Sequence, residues 1–273
     1  MRIMNYLRML IYFVKLLYKN SFMIRSMVIR DLKQRYVGSL LGIFWSVIHP
    51  LTQLILYYFI FAVVFKIRLG PEYGGTNFAV WLIAGLLPWM FFAETVTRAS
   101  TTVVEQSNLI KKMVFPSEIF PIVSLMAAIV SHLIGLTILI SFLLISGYGI
   151  SLQILLVFPY MLIAAIFALG ISWFVSSVNV FLRDVGQVIG VMVNIWFYLT
   201  PIVYPSVRIP GKLQGLFRLN PMFHVIEGYR MALLGKINMD ITNLSYLLLV
   251  TVIILVIGAL TFRRLKPIFA DVL

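Results

Sequence analysis

Three His, nine Asp and Glu, 22 Lys and Arg and no Cys are the groups from which this 273-residue chain could build chemistry. Without Cys there is no thiolate nucleophile, no thiolate metal site and no disulfide. His49 and His132 each stand alone among apolar neighbours, the setting of a hydrogen-bonded interior residue rather than of a ligand set. No His-Glu-x-x-His occurs, and Gly211-Lys212 lacks the upstream glycine of a phosphate-binding loop. No apolar segment carries a carboxylate pair, so general acid–base catalysis lacks its two groups. The chain alone shows no nucleotide hydrolysis and no need of a metal or cofactor of its own. What remains is recognition. Trp45, Ser46, His49, Thr52, Gln53 and Tyr57 project within an arc of about 140° at 100° per residue. Gln187, Gly190, Asn194, Tyr198 and Pro201 fall within about 80° by the same step. Aromatic rings stack on the apolar faces of sugars while amides and hydroxyls serve hydroxyl groups, so both stripes suit a sugar-compatible path. The same spacing suits helix–helix hydrogen bonds, worth on average about 0.6 kcal/mol each.

The elements that carry these stripes are set by composition. Apolar residues make up 62% and charged residues 11% of the chain, against roughly 45–50% and about 25% in soluble domains. A soluble particle of this size could not hide so much apolar surface, which excludes an ordinary soluble enzyme. Six segments reach the roughly 17 to 25 residues that a transmembrane helix needs: Leu40–Phe65, Phe78–Thr95, Pro121–Ile145, Leu152–Val178, Val185–Val203 and Leu244–Phe262. The stretch Tyr204–Gly235 is punctuated by Pro and Gly. Its apolar part, Met222–Leu234, is too short to cross and is interrupted by His224, Glu227 and Arg230. It reads as a re-entrant or surface-lying hairpin. No internal repeat or low-complexity tract divides the chain, so residues 1–273 form one domain. The expected fold is an all-α integral membrane protein with six transmembrane helices, an N-terminal amphipathic interface helix and an external re-entrant hairpin between spans five and six.

The net charge of +13 is distributed unevenly. Six crossings put both termini on one side, together with Arg2, Arg8, Lys15, Lys19, Arg25, Arg30, Lys33, Arg35, Arg98, Lys111, Lys112, Arg183, Arg263, Arg264 and Lys266. Only Lys66, Arg68, Arg208, Lys212, Arg218, Arg230 and Lys236 fall on the other. The positive-inside rule makes the first side cytoplasmic, and attraction to anionic lipid accounts for the excess without a nucleic-acid partner. Within residues 1–37, Asn5, Arg8, Tyr12, Lys15 and Lys19 share one arc while Ile3, Leu7, Leu10, Val14 and Leu17 face away, the pattern of a helix lying in the interface. At the end of the second span Glu94, Arg98, Thr101 and Glu105 share a face, so that helix is expected to run on as a polar extension, with Glu94 and Arg98 paired at i,i+4. Ala164, Ala168, Ser172 and Ser176 form a small-residue seam for close helix approach.

Several stretches together resemble a known family. Arg30-Asp31-Leu32-Lys33-Gln34-Arg35-Tyr36, then Gly38-Ser39-Leu40-Leu41-Gly42, Trp45 and His49-Pro50-Leu51, are similar to the start of type-2 ABC transporter permeases that export bacterial polysaccharides, the O-antigen, capsule and teichoic acid exporters. Asn108-Leu109-Ile110-Lys111-Lys112 with Phe115-Pro116 resembles their loop between spans two and three. Asn179-Val180-Phe181-Leu182-Arg183-Asp184 and Leu199-Thr200-Pro201-Ile202-Val203-Tyr204-Pro205 resemble the flanks of their fifth span. Leu219-Asn220-Pro221, Glu227-Gly228-Tyr229-Arg230 and Leu234-Gly235 resemble their external hairpin. The likeness runs from about residue 21 to 263, in the family's order.

The resemblance implies a half-transporter in the bacterial inner membrane. It would form a homodimer, be driven by two copies of a separate ABC ATPase that holds ATP and Mg, and thread an undecaprenyl-linked glycan between the two permeases. Asn108, Lys111, Lys112, Phe115, Arg183 and Asp184 match the regions that dock on the ATPase, although the bases among them also serve as orientation charges. Arg25, Arg30, Lys33 and Arg35 are candidates for the lipid pyrophosphate, Arg being suited to bidentate phosphate contacts. Generic attraction to anionic lipid, about 1 kcal/mol per base, is the alternative. Trp45, Tyr57, Trp89, Phe92, Trp196 and Tyr198 are the candidate aromatic lining of the path. A drug or lipid permease would share this fold. A membrane-embedded glycosyl- or acyltransferase would need a carboxylate pair or an activated His, and a secondary transporter internal repeats with a charged midplane site.

Overall fold

The computed structural model describes residues 18–35, 44–67, 69–70, 76–112, 115–145, 147, 151–235 and 241–273, and the regular elements among them are all helical. They are α1 (Ser21–Gln34), α2 (Trp45–Tyr58, continued by a π-helical turn Phe59–Val64), α3 (Phe78–Glu105), α4 (Ser107–Lys112), α5 (Ile119–Ile145), α6 (Val157–Asn179), α7 (Val185–Tyr198), α8 (Gly211–Arg218), α9 (Pro221–Leu234), α10 (Ile241–Leu265) and α11 (Phe269–Val272). Four stretches are long and apolar enough to cross a membrane: Phe78–Glu105, Ile119–Ile145, Leu152–Asn179 and Thr242–Val272. They contain the second, third, fourth and sixth predicted spans. The helices of the other two are shorter. At 14 residues and 1.5 Å per residue, α7 is about 21 Å long, against a hydrocarbon core of about 30 Å. The predicted interface helix falls mostly on residues 1–17, outside the described residues, as do the glycines of the 38–42 motif.

The bundle is built around α3. Asn77 caps its start by accepting from the Ala79 amide at 2.8 Å, which satisfies a donor the helix cannot pair internally. Trp81, Leu82, Ala84, Phe92, Ala99 and Val103 along it have no exposed surface, because α5, α6, α7 and α9 surround it. Past Thr95 the helix continues to Glu105, the polar extension read from the sequence. The outer helices keep apolar faces outward, as lipid allows: Val130 and Leu133 on α5, Leu249, Val252 and Ile253 on α10. Helix α1 lies against α5, with Ile24 and Val28 on Ile119, Val123 and Ala127.

The seam of Ala164, Ala168, Ser172 and Ser176 is fully buried, but the tightest helix approach lies across α6 from it. A Cβ on Gly170 would stand 2.7 Å from the Leu255 backbone nitrogen, and one on Gly258 would press into the Gly170 carbonyl oxygen. Two isolated glycines on distant helices carry no periodicity, so the sequence does not announce this contact.

Of the two forms expected for Tyr204–Gly235, the surface-lying one does not hold for its second half. Helix α8 is exposed, but α9 is packed into the bundle, with Met222, Val225, Ile226, Tyr229 and Arg230 wholly covered. Its borders are well made: the Asn220 side chain accepts from the Met222 amide at 3.0 Å, Pro221 opens the first turn, and Gly235 ends it at φ 66°. Gly228 is flat against the Tyr160 ring, leaving no room for a side chain. The charges that interrupt this stretch are consumed internally. Arg230 donates to the Pro201 and Ile202 carbonyls at 3.0 and 2.8 Å and to Glu227 Oε1 at 2.7 Å, with its guanidinium 3.5 Å over the Trp81 ring.

The glycine contact yields a stability test. Gly258→Val should separate α6 from α10 and lower the thermal midpoint of the detergent-solubilised protein by several degrees or abolish a monodisperse elution peak. Gly215→Ala on exposed α8, where nothing lies within 4 Å, should be neutral or stabilising by up to about 1 kcal/mol.

Candidate functional site

The two polar stripes read from the sequence meet across one cleft of about 650 Å³ between α2, α3, α5 and α7. From α2 come Trp45, Gln53 and Tyr57; from α7 come Gly190, Asn194 and Tyr198; α3 supplies Trp89 and α5 supplies Ser131 and His132. Thr52 and Gln187 are exposed and lie outside the cleft, the side chains of Ser46 and His49 lie outside the described residues, and Pro201 instead gives its carbonyl to Arg230. The spacing that could have served helix–helix bonds thus leaves rings and amides facing a common space. His132 sits in the wall with Nε2 2.9 Å from the Tyr229 hydroxyl and its ring 5.1 Å from Phe91. Among the described residues no three His, Asp or Glu side chains stand together as a metal site would require.

Of the six aromatics predicted for the path, Trp45, Tyr57, Trp89 and Tyr198 line the cleft, and Phe92 and Trp196 do not. Phe92 is fully buried, stacked on Phe167 at 5.7 Å. Trp196 stands edge-on to Phe92 at 5.2 Å and donates through Nε1 to Asn220 Oδ1 at 3.0 Å. Trp89, itself only 5% exposed, touches both of them. Helical periodicity could not separate the layers, since Trp89 and Phe92, three residues apart, occupy neighbouring positions on one face. Phe197, absent from the predicted set, does line the cleft, 5.3 Å from Tyr57 and 5.8 Å from Trp89. Asn220 does double duty: besides capping α9 and holding Trp196, its Nδ2 donates to Thr200 at 2.8 Å, so one side chain joins α7 to α9.

One end of the cleft is ionic. Arg35, Glu94 and Arg98 line it, and the expected Glu94–Arg98 pair is not formed. Arg35 instead bridges Glu94 through Nη1 and Asp31 through Nε at 3.0 Å, and Arg98 reaches Asp31 at 3.3 Å. The i,i+4 rule considers one helix; a second helix, α1, brings the better-placed partners. Of the four phosphate candidates, Arg25, Arg30 and Lys33 are exposed on α1, whereas the Arg35 side chain is 8% exposed and committed to two carboxylates.

The candidate docking residues gather at this same end. Asn108, Lys111 and Lys112 of α4 are exposed, as are Arg183 and Asp184 of the turn before α7. Phe115 is half-buried, stacked on Phe120 at 4.8 Å.

The ionic end separates two magnitudes. Breaking a fully buried pair by removing one partner costs about 3–5 kcal/mol and exposed pairs contribute about 0–1 kcal/mol; the Arg35 pairs, with carboxylates 27% and 28% exposed, lie between these. Arg35→Gln should therefore lower the thermal midpoint in detergent markedly and release α1, seen as faster proteolysis near residue 35. Arg98→Gln, at a side chain 40% exposed, should shift the midpoint far less.

Comparison with known proteins places this geometry in a family. The family model described as ABC-2 type transporter matches residues 23–234. An O-antigen export system permease protein RfbA of Klebsiella pneumoniae is 32% identical over 265 residues, covering 95% of this chain and 99% of that protein. The RfbA protein of Myxococcus xanthus is 25% identical over 260 residues, 94% and 98% of the two chains. The polysialic acid transport protein KpsM of Escherichia coli is 23% identical over 246 residues, 88% and 92%. This chain is a member of the ABC-2 type transporter family.

Proposed function

We propose that the chain is the transmembrane subunit of an ATP-driven ABC exporter that moves a lipid-linked polysaccharide across the bacterial inner membrane. It is a multi-pass transport permease rather than an enzyme, and ATP with Mg belongs to a separate ATPase subunit, bound in two copies. The observation that carries this reading is the cleft. Four aromatic rings predicted from the sequence and a fifth, Phe197, share its walls with Gln53 and Asn194, on a chain whose near-full-length relatives are named for O-antigen export and polysialic acid transport. Stacking and hydroxyl recognition are what a glycan asks of a wall.

In this reading α2 and α7 also cross the membrane, giving six spans with cytoplasmic termini, in keeping with the charge asymmetry. The ionic end then faces the cytoplasm, and Tyr204–Gly235 faces outward. Two copies would join along α2 and α7, whose apolar residues Ile55, Leu56, Val191 and Ile195 are left exposed, so that two clefts make one tunnel. Arg25, Arg30 and Lys33 would meet the lipid pyrophosphate, while Arg35 anchors α1 to the bundle.

Depletion of the protein in its native cell should cause a lipid-linked polymer to accumulate on the cytoplasmic side, and an ABC ATPase should co-purify with the tagged chain. Transport by the chain alone in liposomes would sink the proposal. Alanine at Trp45, Tyr57 or Tyr198 should slow export at normal expression, read as surface polymer per unit of permease. Phe92→Ala and Trp196→Ala should instead reduce the amount of folded protein.

A further inference from the structure

The segment that follows the last long helix has no assigned role, yet it touches three separate parts of the basic end. Lys266 places Nζ 2.7 and 2.6 Å from the two carboxylate oxygens of Glu118, just before α5. The Glu118 carbonyl in turn accepts from Trp173 Nε1 of α6 at 3.2 Å. Three residues on, Phe269 of α11 has no exposed surface. Its ring meets Phe262 of α10 at 5.3 Å and Phe181, in the turn before α7, at 6.2 Å. Helix α11 also packs against α4, whose Leu109 and Ile110 join the same apolar cluster.

These contacts matter because of what they support. Helix α4 has six residues, and the turn over 181–184 is not helical. Nucleating a helix costs more than so short a segment returns, so neither element holds its shape without tertiary support. The short helix α11 packs on α4 while its Phe269 ring meets Phe181, and one ion pair, Lys266–Glu118, holds that segment to the bundle. The outward sides of the two supported elements carry Asn108, Lys111, Lys112, Arg183 and Asp184, all exposed.

We infer that residues 266–272 are a positioning strap that binds α4 and the 181–184 turn into one stiff, mainly basic surface for a partner bearing carboxylates. This rests on the exporter reading, in which that partner is the ATPase. A push delivered to α4 is then shared with the turn that opens α7, a wall of the cleft. Phe269 and Lys266 act through the loops and do not touch the cargo.

The test uses the full permease in nanodiscs, titrated with the ATPase isolated from the wild-type complex. Phe269→Ala should weaken ATPase binding by about tenfold, with Phe269→Leu close to wild type. Glu118→Gln should weaken it too, and the paired exchange Glu118→Lys with Lys266→Glu should recover part of the loss. Hydrogen exchange should rise in 107–112 and 181–184 together in Phe269→Ala, with α3 and α6 unchanged. Unaltered affinity in Phe269→Ala, against a wild type that binds, overturns the strap alone. So does exchange that rises throughout the bundle, which would mark a general loss of folding. A wild-type permease that binds no ATPase overturns the exporter reading and the strap with it.

Discussion

Arg230 carries a full charge with none of its surface exposed, and such a charge is tolerated only while the groups around it take up its donors. Pro201 and Ile202 offer carbonyls freed where the chain turns after α7, Glu227 offers a carboxylate one helical turn back, and Trp81 offers its ring face. These partners come from three elements, so the guanidinium fixes how α3, α9 and the turn after α7 sit together. The helix beneath it must be bare to make room: a Cβ on Gly85 would stand 2.6 Å from Arg230 Nη2. The placement of α9 inside the bundle, and through Asn220 the placement of Trp196 and α7, follows from satisfying this one side chain.

The cleft is a consequence of the same arrangement at one remove. With α7 held by Asn220 and packed through Trp196 on Phe92 and Phe167, Phe197 meets Trp89 and Tyr57 of α2 at the edge of the cleft. Most of these rings are packing, and Trp45 and Tyr198 are the two left exposed at the cleft. The ionic end works by a similar economy. Two arginines and two carboxylates cancel one another, which keeps charge at the mouth of the cleft without leaving a buried ion unpaired, and ties the peripheral helix α1 to the central one.

The two ends of the bundle are built differently. At the end of Arg230 the contacts are many and buried. At the other end the polar surface is open, with short elements held by the Phe269 ring and the Lys266–Glu118 pair.

Composition already determines that this is a helical membrane chain, because lipid leaves no other home for so much apolar surface. The polar stripes of α2 and α7 were legible too: the periodicity of a helix assigns each residue a direction before any neighbour is present. What a direction cannot tell is what stands there. Glu94 and Arg98 looked like partners until α1 brought Asp31 and Arg35 to them. Trp89 and Phe92 looked alike until one met a cleft and the other Phe167. Glu227, Gly228 and Arg230 left both a re-entrant and a surface-lying hairpin open until carbonyls and a ring from elsewhere absorbed the charge. The Gly170–Gly258 contact has no signature at all, because a close approach between two backbones is a property of the pair. Local rules set the helices and their faces, and only the tertiary structure decided which polar groups were spent on each other and which were left facing the cleft.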